Sequence, residues 1–77
     1  MDLGKDRGLL PLTRTEMECL RQCAKGMSDL QIGKSMELTE GEVASVLSVV
    51  MLKLRVPNRL AGLAKAGRLG LLGETEA

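Results

Sequence analysis

In three separate places along this chain a hydroxyl residue that can cap a helix stands three positions ahead of a glutamate or glutamine, and each time an apolar run at helical spacing follows. The three are Thr13-Arg14-Thr15-Glu16, Ser28-Asp29-Leu30-Gln31 and Thr39-Glu40-Gly41-Glu42. In such a capping box the hydroxyl accepts from the amide of the third helical residue, and that residue's side chain accepts from the cap amide. Two donors that a helix start leaves orphaned are thereby satisfied. Three such starts in 77 residues leave room for short helices and little else. The fold class expected is all-α.

The first box predicts a helix from about Thr15 to Lys25, with Met17, Leu20, Cys23 and Ala24 as its apolar side and Gly26 as a left-handed stop. Leu12 and Met17 stand at the hydrophobic staple positions. The second predicts a short helix from Asp29 to Ser35, apolar at Leu30, Ile32 and Met36. Glu37-Leu38 then makes a tight turn. The third helix falls within Thr39 to Arg55, TEGEVASVLSVVMLKLR, with Val43, Val46, Leu47, Val50 and Leu54 as a core stripe. Val56-Pro57 breaks the chain and Asn58 caps a fourth helix, Arg59 to Arg68, apolar at Leu60, Leu63, Ala64 and Leu71. Gly62 and Gly67 weaken that helix by about 1 kcal/mol each relative to alanine, so it needs packing from the core or from a second subunit. Residues 1–10 mix Gly4 and Gly8 with alternating charges and are expected to form a mobile arm. Residues 11–72 are the folded domain, and 73–77 an acidic, frayed tail.

Composition narrows the function. No aromatic residue contributes to the core, and one core this small supplies only about 3–5 kcal/mol, so an oligomer would help. The net charge of +1 by itself predicts no partner, since a free-standing nucleic-acid binder is usually more basic. The longest apolar stretch, Val43–Leu54, is interrupted by Ser45, Ser48 and Lys53, too polar to cross a bilayer. The N-terminus, MDLGKDRG, lacks the apolar core of a signal peptide. A cytoplasmic protein away from membranes is expected. Cys19 and Cys23 lie one helical turn apart; with no histidine and no second cysteine pair they fall short of a zinc site and are read as core filler. No nucleophile–base pair, phosphate-cradling glycine loop or paired carboxylates suggests an enzyme, a cofactor or a metal.

A short helix, a tight turn and a longer amphipathic helix, flanked by one helix on either side, follow the helix-turn-helix plan. At this point the residues resemble the LuxR-type (GerE-like) DNA-binding domain. Leu12-Thr13-x-x-Glu16 looks like that family's opening and Ala24-x-Gly26-x-Ser28 like its first turn. Ile32, Met36, Thr39 and Val43 follow at its spacing, and Lys53-Leu54-x-Val56-x-x-Arg59 is similar to its helix-three exit. Leu63, Ala66 and Gly70-Leu71-Leu72 fit its fourth helix. The resemblance implies a four-helix domain whose third helix enters the major groove of double-stranded DNA and whose fourth helix forms a homodimer. Most members carry a sensor or receiver domain upstream, for which 77 residues leave no room. The chain is expected to be a free-standing regulator or an excised domain, and Met1 favours the former.

Departures from the family gather at the contact positions. Where it usually has Thr-Val, lysine, a polar residue and histidine, this chain has Glu42, Val43, Ala44, Ser45 and Val46. Asp29 and Leu30 stand where asparagine and lysine are common, and Val49 where asparagine is frequent. From Ser28 to Arg55 four acids (Asp29, Glu37, Glu40, Glu42) outnumber three bases (Lys34, Lys53, Arg55). Two readings follow. In the first, Ala44, Ser45, Ser48 and Val49 face base edges, while Ser28, Lys34, Lys53 and Arg55, with Arg14 and Arg21, hold phosphates. Leu60, Leu63, Ala64 and Leu71 then form the dimer seam; the competing expectation for the basic residues is plain solvation, and for Arg59 an ion pair with Glu16 inside the fold. In the second, the helix-turn-helix is degenerate and Val49 and Leu52, with Met51, make a protein-binding surface that modulates another regulator.

Overall fold

The computed structural model describes residues 11–72; the arm expected over 1–10 and the tail expected over 73–77 lie outside them. Four helices follow one another: α1 (Arg14–Ala24), α2 (Asp29–Met36), α3 (Glu40–Leu54) and α4 (Arg59–Arg68). All three capping boxes form. The Glu16 amide donates to Thr13 Oγ1 at 3.1 Å and the Thr13 amide to Glu16 Oε1 at 2.9 Å; Ser28 with Gln31 and Thr39 with Glu42 repeat the pattern. Asn58 caps α4 alone, its Oδ1 accepting from the Ala61 amide at 2.8 Å.

The helix ends share one device, less visible in the sequence than the starts. After each helix a residue turns to positive φ: Gly26 (+88°), Glu37 (+61°), Arg55 (+60°) and Gly70 (+74°). The next amide then donates back five residues, from Met27 to Gln22, Leu38 to Gly33, Val56 to Met51 and Leu71 to Ala66, at 2.8–3.3 Å. This is the Schellman closure, and the residue after each left-handed turn is apolar and half-buried, as the motif favours. Glycine marks two of these stops. Glu37 and Arg55 occupy the other two against the steric preference of a side chain.

The inner face of α3 carries the core in two halves. Val43 and Leu47 pack with Cys19 of α1 and Ile32 of α2. Val50, Met51 and Leu54 pack with Leu20 of α1 and Ala66 of α4. Cys19 is fully buried, its Sγ donating to Met36 Sδ at 3.6 Å. Burial first, and nearby acids second, raise its pKa; burial also raises that of Cys23, so both sites favour the protonated thiol over the reactive thiolate.

Four side-chain expectations need correcting. On α1 the inward face is Cys19, Leu20 and Gln22; Ala24 is exposed and Met17 half-buried, so the stripe is rotated from the predicted one. Gln22 donates to Glu18 Oε2 at 3.0 Å, while its Oε1 finds no partner among the described residues. Leu30 is 50 % exposed, because α2 turns inward only from Ile32 and Gly33. On α4 the packed side is Gly62, Leu63 and Ala66 rather than Leu60 and Ala64. Gly62 makes this possible: a β-carbon there would run into the sulfur of Met51, so α4 crosses α3 where one helix has no side chain. Met51 is accordingly buried, and it leaves the outer surface proposed for it.

Candidate nucleic-acid interface

With about 100° between successive helical residues, Gly41, Ser45, Ser48, Val49 and Leu52 share one face of α3. All five are exposed, and no other element covers them among the described residues. Ala44 lies at the edge of that face, half-buried. The helix is presented this way because its opposite face is fully used by the core. The turn before it is held tightly: Leu38 N donates to Gly33 O at 2.8 Å, and a β-carbon on Gly33 would collide with the Leu38 carbonyl. Only glycine lets α2 come this close to the start of α3. Sequence reasoning missed that role; a glycine inside a helical pattern was its only signal.

Two ion pairs place the cations. Lys53 Nζ donates to Glu16 Oε1 at 2.7 Å and to the Pro11 carbonyl at 3.2 Å, tying the end of α3 to the start of α1. Burial raises the Glu16 pKa, but the bonds from Lys53 and the Thr13 amide outweigh it and hold the carboxyl below its ordinary range. Arg59 donates from both Nη atoms to the two Asp29 oxygens, at 2.7 and 2.8 Å. These hydrogen bonds depress the Asp29 pKa and strengthen the hold of Arg59 on its proton, in each case against burial. The pairing expected between Arg59 and Glu16 is therefore replaced by Arg59–Asp29 and Lys53–Glu16. The reason is topological, since α4 begins beside the start of α2 while α3 ends beside the start of α1.

The predicted contact residues divide accordingly. Ser45, Ser48 and Val49 stand together on the open face with Ala44 at its margin. Ser28, Lys34 and Arg55 are exposed at the adjacent helix ends; Ser28 Oγ is occupied as the α2 cap, whereas Lys34 and Arg55 make no ion pair among the described residues. Arg14 is exposed and Arg21 pairs with Glu18 at 3.1 Å. Of the expected seam, Leu60 (79 % exposed) and Ala64 face outward, while Leu63 and Leu71 pack against the molecule's own core. Leu52 is 76 % exposed and Val49 40 %. Leu52 and Ser48 line one wall of an open groove of about 520 Å³, with Val56, Pro57, Asn58 and Arg59 along the other.

No helix among the described residues is long and apolar enough to cross a membrane. No curated protein and no solved structure matches the chain. A family model described as bacterial regulatory proteins, luxR family, matches residues 10–64, from the approach to α1 well into α4. It takes in both helices of the helix-turn-helix and the whole open face of α3. This chain belongs to the luxR family of bacterial regulatory proteins.

Proposed function

We propose that the chain is a DNA-binding transcriptional regulator, cytoplasmic and acting as a homodimer, that lays the outer face of α3 in the major groove. The observation that carries this is the open face itself: a helix buried along one side and uncovered along the other, set behind the tight turn from α2. Such a helix is what a helix-turn-helix offers to a groove. Ala44, Ser45, Ser48 and Val49 meet base edges. Lys34 and Arg55 contact phosphates, with Ser28 at the α2 end. Lys53 acts indirectly, by fixing α3 against α1. The homodimer reading rests on Leu60 and Ala64, which stand outward on α4 and offer a second copy an apolar contact.

The test is an amide-resolved NMR titration with a generic duplex at low salt, since even non-specific binding by a competent domain has Kd of roughly 10⁻⁴–10⁻⁶ M at physiological salt. Shifts across Ala44–Val49, Lys34 and Arg55 that fade as salt rises, and that vanish in Ser48→Glu with the fold intact, are expected. An unshifted spectrum throughout the titration would sink the proposal.

A second reading has one observation in its favour: Leu52 (76 % exposed), at the lip of the groove, and Val49 (40 % exposed) adjoin on the uncovered face, and contiguous exposed apolar surface is what marks a partner site. On this reading Val49 and Leu52 bind another protein. It predicts that Leu52→Asp dissolves an oligomer or complex while leaving any duplex binding unchanged.

A further inference from the structure

The open face of α3 is unusual in what it lacks. Ser45, Ser48, Val49 and Leu52, with Ala44 at the margin, include no arginine, lysine, asparagine or glutamine. The bidentate bonds by which proteins single out guanine or adenine are therefore missing. Of the neighbouring cations, Lys34 and Arg55 make no ion pair among the described residues but stand at helix ends rather than on this face, and the other two are committed within the fold. Lys53 is held by Glu16 and Pro11, and Arg59 by Asp29. The side chain type that selects cytosine, a carboxylate, is confined to the first turn of α3: Glu42 is engaged by the Thr39 amide, and Glu40 stands one turn ahead of Ala44, at the margin of the face. Serine hydroxyls donate and accept, so they follow a base pair without choosing it. On the face itself, from Ala44 to Leu52, what remains with any power to discriminate is methyl surface, on Ala44, Val49 and Leu52. The major-groove edges of the four bases carry one apolar group, the C5-methyl of thymine.

We propose that the outer face of α3 reads duplex DNA through thymine C5-methyl groups, packed against Ala44 and Val49, so that its preferred major groove is thymine-rich. This deepens the DNA-binding reading above and rests on it. Ala44 and Val49 stand at opposite margins of the face, and Ser45 and Ser48 lie between them, accommodating the neighbouring polar base edges in either sense. Leu52 extends the apolar strip toward the exit of the helix. Selectivity then comes from short-range packing, worth about four-fold in affinity per covered methyl, and depends little on ionic strength.

The experiment compares a short alternating dA–dT duplex with the alternating dA–dU duplex, which differs only by the missing C5-methyl, by fluorescence anisotropy of the intact chain at low salt. The dT duplex is expected to bind at least about four-fold more tightly. Replacing cytosine by 5-methylcytosine in an alternating dG–dC duplex should give a gain of similar size. Val49→Ser, at an exposed position that keeps the fold, and the double variant with Ala44→Ser should bring the dT-to-dU ratio toward one. Equal affinity for the dT and dU duplexes overturns the methyl reading and leaves DNA binding standing. A preference that survives in the double variant also overturns it, because the discrimination would then lie in duplex shape. Absence of binding to every duplex overturns both proposals together.

Discussion

Arg55 closes α3 at φ +60°, in a conformation where its β-carbon crowds the backbone and glycine would be at ease. Glu37 closes α2 in the same way at +61°. Each stop carries strain of about 1 kcal/mol that the sequence could have removed. Glu37→Gly and Arg55→Gly should each raise stability by about 0.5–1 kcal/mol, part of the gain being offset by the greater freedom of glycine in the unfolded chain. Urea unfolding checks this, with a higher midpoint and an unchanged slope. The two variants part company on DNA. Glu37→Gly should bind as before, whereas Arg55→Gly should bind more weakly, because an exposed guanidinium beside the open face goes with the strain. An unstrained residue that also costs no affinity when removed would argue that Arg55 is there by chance.

Two glycines inside helices show how far the elements could be read from their residues. The capping boxes announced every helix start they preceded, and α4 came out at its expected bounds, because caps and apolar spacing are local signals. Which face of α4 packs was not legible. Leu60 and Ala64 look as apolar as Leu63 and Ala66, and only the absence of a side chain at Gly62 decides how α4 lies on α3. The same holds at Gly33, whose need for space comes from a carbonyl five residues on. The partners of Lys53 and Arg59 were likewise hidden, since α1–α3 and α2–α4 proximity is a tertiary fact. The two glycines should respond differently to alanine. At Gly33 the obstacle is backbone, so Gly33→Ala should cost about 1–3 kcal/mol and shift the start of α3. At Gly62 the obstacle is the flexible end of Met51, which can swing aside; the alanine's better helix propensity, about 1 kcal/mol, should leave Gly62→Ala near neutral. Thermal unfolding of the two single variants makes the comparison, and equal losses would show that Met51 is not free to move.

Across the whole molecule, the two ion pairs act as struts between helices that the small core alone holds weakly. Asp29 and Glu16 have folded pKa values below their ordinary 3.8 and 4.5. A depressed carboxylate contributes stability that is fully present above its unfolded pKa and is lost as pH falls through the folded value. The melting temperature should therefore hold steady near neutrality and fall below about pH 4.5, and Asp29→Asn should flatten that fall while lowering the neutral-pH plateau slightly. Salt should reduce the plateau contribution, because both pairs are partly open to solvent. A melting temperature unchanged between pH 5 and pH 3, values bracketing the two ordinary carboxyl pKa values, would remove the struts from the account. Committing Lys53 and Arg59 to these struts also shapes how such a domain would travel in a cell crowded with nucleic acid. A regulator with strong cationic surface spends most of its time sliding on irrelevant chromosome. With Lys53 and Arg59 tied inward and a segment from Ser28 to Arg55 that carries more acids than bases, this one would arrive by weakly steered collision, near the unsteered rate of about 10⁵–10⁶ M⁻¹s⁻¹, and leave wrong sites quickly. Its occupancy would then follow the number of molecules present, because the genome would hold few of them in reserve.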